Sequence, residues 1–468
     1  MNSILQTDSY KVGGHYAQYP PGTETIYSYF ESRHGALWPE TVFFGLQYIL
    51  KRHLEGQRIS RAGINEARTL LAQHFGRNLL HEEGFTHILR DHGGRWPVSI
   101  KAVREGTRIP TGNVLMTVEN TCPRCAWVTN YLETVLCQAW YPSSVATLSY
   151  QARQRILKYL EATGDPALID FKLHDFGFRG STSSESAAIG GAAHLVNFKG
   201  TDTLAALVLL RDYYDEPCAG HSIPASEHST ITSWGWEHER DAYANMLAVY
   251  RDGMFACVSD SYDIGHAVSQ IWGSELKEQV LARNGTLVVR PDSGHPPTVV
   301  VDVVTRLGAA FGYTTNSKGY RVLDPHVRVI QGDGCTLDTI EYCLQALQVV
   351  GWSADNVAFG MGGGLLQSVN RDTQRFAFKC SYVAGINYEA ATDRITPWER
   401  DVYKAPVGDP SKNSKRGKLA LVLTDEGYRT VPAGHITDTE NQLVEVFRDG
   451  ALVRPTNLAS VRMLAAEQ

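Results

Sequence analysis

The run His174-Asp-Phe-Gly-Phe-Arg-Gly180, extended through Asp202, decides how the chain is read. It sets an aromatic ring, a glycine and a guanidinium within four positions, at Phe176, Gly177 and Arg179. A flat aromatic face stacks on another ring, and an arginine forks two hydrogen bonds onto a phosphate or carboxylate. Ser181-Thr-Ser-Ser-Glu185 then reads as an N-cap entering a small-residue helix, Ala187-Ala-Ile-Gly-Gly-Ala-Ala193. The start of such a helix offers free N–H groups to an anion. The stretch closes on Lys199-Gly-Thr-Asp202, where Asp202 is placed to accept from a neutral donor. Read alone, it also fits a tight packing corner with a capped helix.

The same grammar recurs downstream. Ser222-Ile-Pro-Ala leads to Ser226-Glu-His228, and Phe255-Ala-Cys-Val to Ser259-Asp-Ser-Tyr-Asp263. Thr286-Leu-Val-Val leads to Arg290-Pro-Asp-Ser-Gly294, and Val327-Arg-Val-Ile to Gln331-Gly-Asp-Gly334. Val357-Ala-Phe leads to Gly360-Met-Gly-Gly-Gly364. Short strands that alternate with helices and end in polar corners predict a parallel α/β barrel with its site at the strands' C-terminal ends. An open doubly wound sheet gives the same alternation. The barrel is the preferred reading.

On either side the texture differs. Ile26-Tyr-Ser-Tyr-Phe-Glu-Ser-Arg33 alternates like a strand, and residues 41–57 and 61–80 have helical spacing. Strands are predicted at Trp96–Val103 and Val114–Val118, with two helices between Trp127 and Leu160 parted near Pro142. Beyond Leu366, cations stand among Gly, Pro, Asn and Ser; residues 386–402 read as a loop and Asp409–Lys418 as a basic turn. The expected division is an N-terminal α+β part over 1–165, a barrel over 166–384, and C-terminal strands over 385–468 that complete the smaller, mainly β domain.

With 468 residues, 43% hydrophobic and 20% charged, the composition is that of a soluble globular enzyme. A net charge of −6 argues mildly against non-specific nucleic-acid binding. No run approaches the roughly 18 apolar residues of a membrane span. The opening residues lack the features of a signal peptide, so a cytoplasmic location is expected. Eight scattered cysteines resemble reduced thiols. Cys122-Pro-Arg-Cys125 is the only close pair; no second pair of ligands stands after it at finger spacing, which weighs against a metal or redox role.

The corners supply carboxylates (Asp202, Asp260, Asp263, Asp292, Asp333), arginines (Arg179, Arg290) and a glycine-rich turn from Gly360 to Gly364. Carboxylate oxygens suit Mg²⁺ held together with substrate phosphates, and glycines let backbone N–H groups approach phosphate oxygens. Neither a Walker phosphate loop nor a Gly-x-Gly-x-x-Gly helix start is present, which removes the kinase and Rossmann dehydrogenase readings. His228 sits at one corner beside a carboxylate and hydroxyls, where it is either structural or catalytic.

The chain resembles the nicotinate/nicotinamide phosphoribosyltransferase family of type II phosphoribosyltransferases. Matching stretches include Asp8-Ser-Tyr-Lys-Val12, Tyr27-Ser-Tyr-Phe-Glu31, His174 to Gly180, His194-Leu-Val-Asn-Phe-Lys-Gly-Thr-Asp-Thr203 and Pro224-Ala-Ser-Glu-His-Ser-Thr-Ile-Thr232. Val258 to Ile264, Arg290 to Gly294, Arg328 to Gly334, Gly362 to Gln367 and Phe378 to Val383 continue the match, which runs from about residue 8 to 420. The resemblance implies transfer of the phosphoribosyl group of phosphoribosyl pyrophosphate to nicotinamide, yielding nicotinamide mononucleotide and pyrophosphate. It further implies a homodimer in which a pyridine ring stacks between Phe176 and Tyr10 of the other subunit, with Asp202 accepting from the carboxamide. Arg290 then lies near the amide oxygen and Arg179 near the nucleotide phosphate. Asp260, Asp292, Gly332 and Asp333 surround the ribose and Mg²⁺, with Asp260 and Asp292 the expected metal ligands. Gly362 and Gly363 face the 5′-phosphate, and Arg33, Arg371, Lys379, Lys404 and Lys412 hold pyrophosphate and the phosphates of ATP. His228 matches a histidine phosphorylated by ATP. Nicotinate as the substrate, and a non-catalytic binding or signalling protein on the same fold, are the alternatives. The chain departs from the family at Ala377, where the animal enzymes have a serine, at Gly14, a one-residue insertion, in the loop around residues 386–402, and at Cys122, in place of an aspartate.

Overall fold

The computed structural model describes residues 2–409 and 412–466. The chain forms two compact units, one of Met1–Thr147, Tyr213–Asp215 and Asn370–Gln468, the other of Leu148–Asp212 and Glu216–Val369. The sequence places the boundaries at 165 and 384 instead. The later one moves because Ala377–Glu389 is a strand of the first unit's sheet, paired along Thr23–Glu31.

In the second unit six strands form one parallel sheet, in the order Gly200–Thr201, Leu173–Asp175, Val357–Met361, Val327–Gln331, Leu287–Arg290, Phe255–Val258. The segment 221–225 joins the sheet's two edges through parallel bridges, Gly200 with His221 and Ala225 with Ala256. Backbone bonds carry those joins: Thr201 N–H donates to His221 O at 3.0 Å and Ala256 N–H to Pro224 O at 2.8 Å. The expected barrel is therefore present as a ring of seven strand-like segments. Helices Ser184–His194, Leu204–Tyr214, Glu239–Val249, Pro296–Phe311 and Leu337–Val349 each follow one of these segments, as parallel crossovers require. The run of serines caps its helix as expected: Ser183 Oγ accepts from Ser186 N–H, and the Ser186 hydroxyl returns the bond.

A closed ring has an inside, and register says which residues face it. Phe359 pairs with Leu173, Gly360 with His174, and His174 with Gly200, so alternate residues along each strand share the inner face. Ala256, Val288 and Ile330 form a buried cluster there, with Ile223, Ala358 and Phe176 packed on it. Burying each large aliphatic side chain in that cluster contributes about 1.5–3 kcal/mol. At the opposite end Lys172 is buried, its ammonium donating to the carbonyls of Ala354, Asp355 and Val357 at 2.9–3.1 Å. Burial depresses its pKa to about 8.

The first unit is built on a seven-stranded antiparallel sheet, ordered Arg394–Asp401, Ala377–Glu389, Thr23–Glu31, Val114–Asn120, Val98–Ala102, Val444–Arg448, Ala451–Leu452. Three sequence expectations are corrected. Residues 386–402 are no loop but an edge hairpin, Tyr382 to Glu389 pairing with Arg394 to Asp401. Its tip, Asn387–Glu389, and its second arm apart from Trp398 are exposed, so no apolar alternation announces them. A helix runs unbroken from Trp140 to Thr163 through Pro142, which stands in its first turn where a proline costs little. Finally, Glu40–Val42 is a strand, and helix begins only at Leu46. Helices Arg61–Phe75 and Glu82–Asp91 complete the unit's N-terminal part. Of the basic turn, Pro410 and Ser411 lie outside the described residues.

Candidate active site

The polar corners meet at the C-terminal mouth of the ring. Phe176 comes directly after its strand, its N–H donating to Met361 O at 3.0 Å. The ring lies flat over the backbone of Gly360, where a Cβ would stand 2.0 Å from Phe176 Cε2. Glycine is obligatory at that position because the aromatic ring occupies the space of a side chain. Gly360→Ala is expected to displace Phe176 and to cost about 1–3 kcal/mol, measured by denaturant unfolding.

Arg290 and Asp292 form a bidentate ion pair, with Nε to Oδ1 at 3.2 Å and a terminal nitrogen to Oδ2 at 2.8 Å. The Asp292 N–H donates to Asp260 Oδ2 at 3.0 Å, which ties two corners together. His228 Nε2 lies 3.1 Å from the other oxygen of Asp260, and its Nδ1 3.9 Å from Asp292. The Asp260 side chain is 4% exposed while that of His228 is 46% exposed, so a buried carboxylate orients an accessible imidazole. A Cβ on Gly332 would sit 3.4 Å from both Asp292 and Phe176 and 3.5 Å from Arg290 Nε. Three corners thus converge within contact of one point.

Asp202 extends the strand beside Phe176, its N–H donating to Asp175 O at 3.0 Å. It is exposed, and the Ser222 hydroxyl donates to its Oδ1. Neither Ser222 nor Asp175 stands out in the sequence. Ser222 is visible there only as the first residue of a strand-like run. Asp175 is fully buried, accepts from Gly177 N–H at 2.7 Å and from the Thr201 hydroxyl, and so fixes the bend that aims Phe176. Burial raises its pKa despite those bonds.

Arg179, Asp333 and Gly363 are at neighbouring corners, Arg179 and Asp333 exposed, and a Cβ on Gly363 would meet nothing within 4 Å. Gly362 caps the short turn Gly363–Leu366. The barrel unit therefore brings together Phe176, Arg290, Asp292, Asp260, His228 and Gly332, with Asp202 level with Phe176 on the adjoining strand.

The remaining predicted cations belong to the first unit. Arg33, Arg371, Lys379 and Lys412 line a cavity of about 260 Å³ together with Glu133, Cys137 and Arg375. Lys404 is not among its lining residues, but its charge bears on Lys379, whose pKa burial already lowers. Arg375 and Glu133 are additions that the sequence does not announce. Glu133 accepts from Lys11 at 2.5 Å, and Cys137 has its thiol pushed up to about 11 by burial. Tyr10 is 60% exposed on the short helix Ser9–Val12, beside Lys11. Among the described residues no helix is long and apolar enough to cross a membrane.

A parallel barrel ring whose mouth gathers carboxylates, an arginine and a glycine-lined aromatic is the architecture of a type II phosphoribosyltransferase. Two solved structures share the fold. They are nicotinate-nucleotide pyrophosphorylase from Pyrococcus furiosus (TM-score 0.59, 15% identity, 100% of this chain and 95% of that one) and human nicotinic acid phosphoribosyltransferase (TM-score 0.58, 16% identity, 98% and 93%). The chain belongs to the nicotinate phosphoribosyltransferase (NAPRTase) family, whose model matches residues 171–451, and the nicotinamide phosphoribosyltransferase N-terminal domain model matches residues 2–100. Among curated relatives, the nicotinamide phosphoribosyltransferase of Xanthomonas campestris pv. campestris is 49% identical over 98% of this chain and 97% of its own. That of Acinetobacter baylyi is 31% identical over 100% and 98%.

Proposed function

We propose that this enzyme transfers the phosphoribosyl group of phosphoribosyl pyrophosphate to nicotinamide, the step that returns nicotinamide to the NAD pool. The observation that carries the reading is Asp202, exposed level with Phe176 and oriented by Ser222. A carboxylate accepts from a carboxamide NH₂ and repels the carboxylate of nicotinate. The 49% identity to a nicotinamide phosphoribosyltransferase points the same way.

In the transfer, a bond forms from the pyridine nitrogen to C1′ as the bond from C1′ to the pyrophosphate oxygen breaks. The ring nitrogen carries no proton, so no general base is needed. Phe176 stacks the ring on one face, and Tyr10 of a second subunit stacks on the other. Asp260 and Asp292 face the sugar as it becomes cationic, while Arg290 holds the Asp292 carboxylate and meets the amide oxygen. Arg179, Gly362 and Gly363 take the 5′-phosphate, with Gly332 and Asp333 beside the ribose. Arg33, Arg371, Lys379, Lys404 and Lys412 bind pyrophosphate and the phosphates of ATP.

The donor set suits Mg²⁺. Asp260 and Asp292 offer hard oxygens on two corners tied by the Asp292 N–H to Asp260 Oδ2 bond, and Arg290 neutralises Asp292 until substrate arrives. When bound, the ion supplies charge neutralisation to the departing pyrophosphate.

His228 is exposed, within reach of two carboxylates that hold its ring, and is assigned as the residue that ATP phosphorylates. His228→Ala is therefore expected to keep basal transfer and lose its stimulation by ATP. Equal stimulation of variant and wild type would overturn the assignment. The function itself is tested by a steady-state assay with phosphoribosyl pyrophosphate and Mg²⁺, comparing nicotinamide with nicotinate, each with and without ATP. Product from nicotinamide is expected; product from nicotinate alone would overturn the role of Asp202.

A further inference from the structure

We propose that His87, His92, Cys122 and Cys125 hold a structural zinc ion in the first unit. One ligand atom from each lies within 4.8 Å of all the others. The edge of a tetrahedral zinc site with two sulfurs and two nitrogens is about 3.3–3.8 Å, as set by bond lengths of about 2.3 and 2.0 Å. His87 Nε2 and Cys122 Sγ already stand 3.4 Å apart. The rest need side-chain movements of about an ångström.

The surroundings are those of a ligand set rather than of chance neighbours. The far nitrogen of His87, Nδ1, contacts the Asp91 carboxylate one helical turn on. With its proton on Nδ1 the ring leaves Nε2, beside Cys122 Sγ, as the ligand atom, and the Asp91 carboxylate is placed as the outer partner of a carboxylate–histidine–metal relay. His92 Nε2 is buried and makes no hydrogen bond, and the two imidazoles stand nearly perpendicular, at 82°, with centroids 5.3 Å apart. Both thiols are free.

The backbone holds all four in place. His87 lies in Glu82–Asp91, and His92 caps that helix with its N–H on Ile88 O at 3.1 Å. Cys122 opens the turn Pro123–Cys125; its carbonyl accepts from Cys125 N–H and from the Asn120 amide, each at 2.9 Å. Two thiolates and two imidazoles select zinc over Mg²⁺ or Ca²⁺. On binding, each thiol releases its proton, and the two thiolates neutralise the dication. The ion would clamp a helix end to the end of strand Val114–Asn120. The Cys-x-x-Cys pair, which lacks a histidine pair downstream, finds its other two ligands about 30 to 35 residues upstream.

The test uses the full chain without a histidine tag, expressed in zinc-poor medium supplemented with cobalt. Tetrahedral visible bands and a thiolate-to-cobalt charge-transfer band are expected. Both should vanish in Cys122→Ser and His87→Ala and persist in Cys218→Ser, an exposed cysteine elsewhere, and in Asp260→Ala, which alters the barrel carboxylates. From ordinary medium the wild type is expected to carry about one zinc ion per chain by elemental analysis, with two thiols protected from alkylation. Wild-type protein with neither charge-transfer band nor zinc would overturn the proposal. So would a Cys122–Cys125 disulfide, seen as a loss of two hydrogens in the intact mass of protein purified under reductant.

Discussion

Asp260→Ala is expected to lower kcat/KM for phosphoribosyl transfer about 100- to 1000-fold and to leave the fold in place. The carboxylate accepts from the Asp292 N–H on one oxygen and faces His228 Nε2 on the other. Removing it leaves a donor unpaired and releases the corner that holds the Arg290–Asp292 pair. Each hydrogen bond to a charged group contributes about 1.5–3 kcal/mol, and a factor of ten in rate is about 1.4 kcal/mol. Two such losses at a preorganised site reach that range. Asp260→Asn separates shape from charge: it fills the same volume but turns one acceptor into a donor, and it too is expected to be impaired. Circular dichroism and thermal melting check the fold, and near-native turnover in a folded Asp260→Ala protein would sink the assignment.

The second large effect is on substrate choice. Asp202→Ala is expected to reduce kcat/KM for nicotinamide about 10- to 150-fold, the equivalent of one charge-assisted hydrogen bond. The KM for phosphoribosyl pyrophosphate should stay within about twofold. Because the repulsive carboxylate is gone, the relative rate with nicotinate should rise. Competition between the two pyridines in one reaction reads this directly. An unchanged ratio would mean that Asp202 does not meet the ring substituent.

The barrel is legible in the sequence because every strand ends in a change of chemistry. Val-Val-Arg-Pro-Asp and Val-Ile-Gln-Gly-Asp announce both the end of a buried run and the residues at its mouth. Partnership is what the sequence hides. Nothing in Ser222-Ile-Pro-Ala says that the serine supports a carboxylate twenty residues earlier, and nothing in His-Asp-Phe-Gly says that the aspartate turns inward to hold the bend. The hairpin at Tyr382–Asp401 is hidden because its tip, Asn387–Glu389, and its outer arm, Arg394–Asp401, lie exposed at the sheet edge, where the period-two signal of a half-buried strand fades. The histidines beside Cys122 and Cys125 are hidden because they precede the thiols in the chain, whereas finger spacing puts them after; a helix and its cap bring them back.

The barrel's seventh stave has a consequence of its own. Segment 221–225 is stitched to each neighbour by a single bridge, whereas Phe255–Val258 and Leu287–Arg290 share four registered pairs. Local opening begins where a ladder is shortest. This stave carries Ser222, which steadies Asp202, and runs on into His228. One small opening there would loosen Asp202 and His228 together, while Arg290 and Asp292 stay anchored on a firmly laced strand. Breathing at that seam would give Asp202 and His228 a shared rhythm, distinct from that of Arg290 and Asp292.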